Sequence, residues 1–136
     1  MQRGDRHIGF GIMGGMNQAL AHAQFVSNVV DYGMNIQAAL EKARFTVTRT
    51  LSCNIMIESR VGSTTIDTLT KMGHVFEVRK EYTEHMGRGN AVEHDTATGI
   101  NLGASDPRAD GATIPEMPNT EKSAVKRLTK GGPRAN

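Results

Sequence analysis

The chain has no tryptophan, one cysteine, two tyrosines and four phenylalanines in 136 residues. A lone cysteine, Cys53, excludes an internal disulfide, and its neighbours Ser52 and Asn54 leave no C-x-x-C pair for zinc or dithiol chemistry. No run of 18 apolar residues is present, which argues against a transmembrane helix. The opening MQRGD leads into no apolar stretch of signal-peptide type; it reads as a natural start and gives a cytoplasmic expectation. Aromatic poverty also bears on charge. Residues 115–136 carry five cations (Lys122, Lys126, Arg127, Lys130 and Arg134) against Glu116 and Glu121, a balance of +3 within a net charge of +2. A basic tail can reach nucleic acid or membrane, but this one has no ring on which a base could stack. It reads as a solvated extension, with neither nucleic acid nor membrane expected as a partner.

Glycine (15) and methionine (8) are plentiful instead. Glycine marks turns and close backbone approaches, and methionine fills irregular gaps in a core. The length predicts one domain at most. Residues 6–13 alternate, with Ile8, Phe10 and Ile12 on one face and His7, Gly9, Gly11 and Met13 on the other. That predicts a strand with a glycine-thinned face, against which something packs closely. Gly14-Gly15 ends it. A helix is predicted over 17–32, capped by Asn17 and stopped by Gly33. Its narrow polar strip (Asn17, Ala21, Gln24, Asn28, Asp31) lies opposite Leu20, Ala23, Val26 and Val30, so it is expected to be buried over most of its girth.

Asn35 is placed to cap a second, short helix over 36–43. Strands are predicted over 45–50, 54–58 and 74–78, and a helix over 64–72 capped by Ser63, with Ile66, Leu69 and Met72 inward. Residues 80–88 read as a charged loop, and 89–96 with 100–104 as a hairpin turned at Thr98-Gly99. The division is a domain over 1–114 and a basic polar tail over 115–136. The fold class is α+β with mostly antiparallel sheet; the order of elements gives no regular βαβ series and so is not doubly wound.

Recognisable chemistry is sparse. Two adjacent N–H groups at a helix entrance, as at Gly14-Gly15, can hold an oxyanion, although most such pairs are simply turns. The Lys and Ser or Thr of a phosphate-binding loop do not follow. His85 and His94 lie nine residues apart with no cysteine partner, so no metal is expected. His22 reads as a satisfied core histidine and His74 as a positioning residue at the start of a strand. Spacing pairs none of Asp5, Glu58 and Asp106 as acid and base, and Cys53 has no partner for nucleophilic work. The charged turn Asp106-Pro107-Arg108 with Asp110-Gly111 points to structural roles for Asp106, Arg108 and Asp110, and Arg44 reads as a buried ion-pair partner.

Four segments in order carry more: FGIMGG at 10–15, VVDYGMNIQAALEKARF at 29–45, GH at 73–74 and LGASDPRADG at 102–111. Over roughly residues 8–114 this series resembles the end of the gamma-glutamyltranspeptidase family of N-terminal-nucleophile hydrolases. The resemblance implies a sandwich of two antiparallel sheets between helical layers (αββα). It also implies a precursor that cleaves itself to expose an N-terminal threonine. That threonine attacks a gamma-glutamyl amide such as glutathione, and the acyl group passes to water or an amino acid. Gly14 and Gly15 would correspond to the family's oxyanion-hole glycines. The family often has Ser-Pro just ahead of them, where this chain has Ile12-Met13, which suggests a divergent branch.

In the family the nucleophile lies far upstream of the glycine pair, with the residues that grip the glutamyl carboxylate and amine. Thr46, Thr48, Thr50, Thr64 and Thr65 lie downstream and cannot replace it by sequence order. The expectation is therefore the C-terminal part of a small subunit, lacking upstream strands and inactive alone. It would pair with itself or with a separate chain supplying the upstream half, and act on a small gamma-glutamyl substrate when so completed. No cofactor is expected. The alternative is a non-catalytic scaffold of the same descent, binding a partner or an amino-acid-like ligand.

Overall fold

The computed structural model describes residues 1–47 and 54–115. The end of the strand predicted over 45–50, Cys53, and the tail from residue 116 onward lie outside the described residues. The described residues form two sheets. One has four strands in the order β1-β2-β6-β7 (β1 Gln2–Arg3, β2 Arg6–Met13, β6 Arg88–Asp95, β7 Asn101–Ser105), all antiparallel. The other has three, β3-β4-β5 (β3 Phe45–Val47, β4 Asn54–Glu58, β5 Val75–Arg79); β3 and β4 run antiparallel, β4 and β5 parallel through helix α3, Ser63–Lys71. Helices α1 (Gln18–Val30) and α2 (Ile36–Glu41) pack on the four-stranded sheet. The α+β expectation with mostly antiparallel pairing holds.

The core follows from the alternation in β2. Ile8 and Ile12 are buried and Phe10 half-buried against Phe25 of α1, with Ala91, Ala104 and Leu40 completing the cluster. On the opposite face, Gly9, Val92 and Gly103 share one row and Gly11, Asn90 and Ser105 the next. The close approach expected there occurs at Gly103, where a Cβ would collide with Thr113; Ser105 Oγ meets Thr113 Oγ1 at 3.2 Å. Gly9 and Gly11 have no such cover among the described residues, and Val92 is exposed.

Several local expectations are corrected. The buried stripe of α1 is Ala21, Phe25 and Val29, while Ala23 and Val30 are exposed. The helix packs its stripe on the four-stranded sheet and meets β3 of the other sheet through Gln24, which hydrogen-bonds the N–H and C=O of Phe45, so Ala23 and Val30 stay open. Asn17 does not cap α1 with its side chain. It is already helical in a 3₁₀ turn at Gly15–Asn17 that runs directly into α1, and the carbonyls of Gly14 and Gly15 take the first turn's N–H groups.

Ser63 is the first residue of α3, not its cap: Gly62 O receives the N–H groups of Thr65 and Ile66. Met72 of the expected inward face is exposed: it lies past the last helical residue, Lys71, while Ile66 and Leu69 are half-buried. Other punctuation is as read. Asn35 Oδ1 accepts from Ala38 N at 2.8 Å, and α2 ends at Glu41, two residues short of the predicted end. Gly33 turns left-handed after α1 (φ 66°), with Met34 N–H returning to Asn28 O. The β6–β7 turn contains Gly99 at φ 72° and is braced by Asp95 Oδ1, which accepts from the N–H groups of Ala97 and Thr98.

Candidate active site

Strand β2 delivers Gly14 and Gly15 to the entrance of α1. Gly15 is left-handed, at φ 58°. Both glycines enter the turn's hydrogen bonds through their carbonyls, Gly14 O accepting from Asn17 N and Gly15 O from Gln18 N. Among the described residues no acceptor takes either glycine's N–H, so both remain for a group from outside.

The turn is anchored on two sides. His22 of α1 accepts the N–H of Ile12 through Nε2 at 2.9 Å, and its ring stands edge-on to Phe10. That contact puts the ring proton on Nδ1 and ties the last residues of β2 to the helix. On the other side lies Gly87, at φ 82°, at the end of the 3₁₀ turn Glu84–Met86. A Cβ on Gly14 would sit 3.3 Å from Gly87 Cα, and one on Gly87 would run into the carbonyl oxygen of Met13. Asn17 Oδ1 is buried beside the turn without a donor.

Behind Gly87 is a buried ion network that joins both sheets. Arg108 Nε and Nη2 reach Glu58 Oε1 and Oε2 at 2.7 and 2.6 Å. Nη1 reaches Leu40 O and Asp106 Oδ1, and Nη2 also reaches Lys42 O, so all five N–H groups of Arg108 are used. Arg44 Nη2 meets Asp106 Oδ2 at 2.8 Å and Leu40 O at 3.0 Å, while Nη1 donates to Met86 O and Gly87 O. Glu58 further accepts from Arg44 N, Thr83 N and Arg60 Nη2, and Asp106 Oδ2 accepts from Gly89 N. Arg60 stacks over the Tyr82 ring at 3.8 Å, and Tyr82 itself is left-handed, at φ 50°.

Three guanidinium groups thus meet the C-terminal carbonyls of α2, Arg60 through Glu41 O, where the helix leaves acceptors unpaired and its dipole favours cations. Burial acts to raise the Glu58 carboxyl. The Arg108 hydrogen bond, the Arg44 N–H and the charges of Arg108 and Arg60 outweigh it and hold the group below the usual carboxylate range. Burial lowers Arg44, reinforced by the like charge of Arg108; Asp106 and Glu58 offset this only in part. Arg108 is raised, its two carboxylate partners outweighing burial.

Of the residues singled out from sequence, Arg44, Asp106 and Arg108 meet in this network, and Gly14-Gly15 lie one residue from it. Asp110 is apart: it is exposed and makes no ion pair among the described residues. Glu58 is the member that sequence spacing did not connect to the others, since Arg44 and Arg108 lie 14 and 50 residues from it; its only signal was an acidic residue ending an apolar strand. His85 meets Thr83 and His94 meets Asn101, at separate places, and His74 lies exposed against Phe76. Among the described residues, no three His, Cys, Asp or Glu side chains are grouped to hold a metal, and no helix is long and apolar enough to cross a membrane.

This arrangement of sheets and helices is similar to part of known N-terminal-nucleophile hydrolases. It superposes on a cephalosporin acylase of Bacillus halodurans with a TM-score of 0.70 and 33 % identity, over 76 % of this chain and 19 % of that one. Residues 1–116 match the gamma-glutamyltranspeptidase family, and the chain belongs to it. Similar proteins include the glutathione hydrolase-like YwrD proenzyme of Bacillus subtilis, 32 % identical over 82 % of this chain, and the oxamate amidohydrolase proenzyme of Klebsiella pneumoniae, 30 % identical over 76 %. The matches span 22 % and 20 % of those two relatives, so this chain corresponds to about a fifth of their length.

Proposed function

We propose that this chain is the C-terminal portion of a gamma-glutamyl hydrolase or transferase and supplies its oxyanion-stabilising turn. The observation that carries the reading is the Gly14-Gly15 turn, with two unclaimed N–H groups at a helix entrance and rigid supports on both sides. When a nucleophile adds to an amide carbonyl, negative charge gathers on the oxygen. Fixed N–H donors stabilise that charge more than the ground state, so they accelerate the step. The nucleophile in this reading is a threonine from outside the chain, activated by its own α-amine. The amine of the substrate leaves, an acyl-enzyme remains, and water or an amino acid takes the acyl group. Glutathione and related gamma-glutamyl amides are the proposed substrates. The relatives' names, a glutathione hydrolase-like protein, an oxamate amidohydrolase and a cephalosporin acylase, share the opening of an amide by acyl transfer.

The remaining layers of the fold would come from upstream sequence, carried on a separate chain or completed by self-association. The open glycine row of β2 and the exposed side of α1 support this. The test is hydrolysis and transfer on a chromogenic gamma-glutamyl anilide, with the chain alone and with the upstream polypeptide. Turnover only in the mixture is expected. Turnover by the chain alone overturns the reading, and none in either, with the chain folded, leaves the non-catalytic scaffold.

A further inference from the structure

Arg44 and Gly14 are joined through a single residue, Gly87. The guanidinium of Arg44 donates to Gly87 O at 3.2 Å and Met86 O at 3.3 Å. Gly87 in turn lies close against the turn: a Cβ on Gly14 would sit 3.3 Å from Gly87 Cα, and one on Gly87 would collide with the carbonyl oxygen of Met13, the residue before Gly14. Two residues further on, Gly89 N–H is held by Asp106 Oδ2, the carboxylate oxygen that pairs with Arg44. Residues 86–89 are therefore fixed on both sides of Gly87 by one buried ion pair.

We propose that Arg44 is a positioning residue for the Gly14-Gly15 turn, acting through Gly87. The proposal rests on the oxyanion reading of that turn. Donors aimed at a developing charge help only if they are already in place, and a glycine pair has the least intrinsic means of staying in place. Arg44 supplies the constraint that the two glycines lack. Its planar fork serves Met86 O, Gly87 O, Leu40 O and Asp106 together, a set of directions that the three N–H groups of a lysine cannot match. With the fork removed, two carbonyls behind Gly87 lose their donor, Gly87 is free to recede, and Gly14 loses its wall.

The first measurement is made on the ¹⁵N-labelled chain itself and needs no activity. A nuclear Overhauser contact between the Hα protons of Gly14 and Gly87 is expected in the wild type. Arg44→Lys is expected to shift the Gly14 and Gly15 amide signals, to lower their ¹⁵N order parameters and to lose the Gly14–Gly87 contact, leaving the turn glycines Gly33 and Gly99 unchanged. Absence of the Gly14–Gly87 contact overturns the proposal. So does a folded Arg44→Lys chain with unmoved Gly14 and Gly15. Should Arg44→Lys fail to fold, Asp106→Asn, which keeps an oxygen for Gly89 N–H while dropping the charge facing Arg44, is compared in its place, and the wild-type contact decides independently.

The second measurement uses the chain completed by upstream polypeptide. Arg44→Lys is expected to lower kcat on the anilide by about tenfold to a hundredfold, with KM within twofold, while Arg6→Lys at the remote surface pair leaves both constant. An unchanged kcat overturns the proposal. An inactive wild-type mixture overturns the oxyanion reading instead, and the amide comparison tells the two failures apart.

Discussion

Arg108 and Glu58, fifty positions apart in the chain, meet through two hydrogen bonds, at 2.7 and 2.6 Å, with both side chains fully buried. Removing the Glu58 charge leaves two buried guanidinium groups, Arg44 and Arg108, sharing the one buried carboxylate of Asp106. Glu58→Gln is therefore expected to destabilise the chain by about 3–5 kcal/mol, measured by urea unfolding. Breaking the exposed Arg88–Glu84 pair by Arg88→Ala is expected to cost less than about 1 kcal/mol. Equal effects would show that burial does not set the worth of these pairs.

Acid should weaken the fold through the same group. The Glu58 carboxyl lies below its ordinary value when folded, and so does Glu93, which Arg6 holds through a side-chain hydrogen bond. The unfolded chain then binds more protons than the folded one between the two values. The stabilisation is fully present above the unfolded value of about 4.3 and is lost as pH falls below it toward the folded value. The urea midpoint is expected to be flat from pH 7 to about 5.5 and to drop steeply below about 4.5. In Glu58→Gln that drop is expected to be shallower.

In an enzyme completed by upstream polypeptide, Gly14→Pro is expected to abolish turnover. Proline removes the N–H and demands a φ near −65°, whereas Gly14 sits at 157°. Gly15→Ala keeps the N–H but strains a left-handed residue by about 1 kcal/mol. A milder loss, in kcat more than KM, is expected. Retained activity in Gly14→Pro would remove this turn from the chemistry.

The two helix entrances give a paired test. Asn35→Ala is expected to cost about 1 kcal/mol, because it deletes the bond to Ala38 N. Asn17→Ala is expected to be close to neutral, since Asn17 makes no cap and its Oδ1 is unpaired. Thermal unfolding of the two variants checks both.

Much of this molecule was legible from local pattern. The period-two alternation of β2 marked its core face, and Asn35, Gly33 and Gly99 marked boundaries by conformations and hydrogen bonds that need only near neighbours. Errors arose where a neighbour distant in sequence decides. The face of α1 that is buried depends on which sheet it meets, and the polar-strip reading placed Ala21 on the wrong side. Asn17 was misread because the two glycines before it start a turn early. Glu58 was invisible as a network member for the same reason: nothing within ten residues of it signals Arg108, and only the folded β4 brings them together. Gly87 gave no sign of its closeness to Gly14, which exists only in the pairing of β2 with β6.

The five donors of Arg108 bear on synthesis as well as on stability. During translation, Arg108, which makes the two-bonded pair with Glu58, emerges after the described strands of both sheets have left the ribosome. Until then Glu58 has Arg60 as its one charged partner among the described residues, and Lys42 O lacks its donor. A product stopped before residue 108 would carry every described strand and lack the side chain that joins Glu58 to Asp106. The two sheets are thus tied together by a side chain that comes after all their described strands.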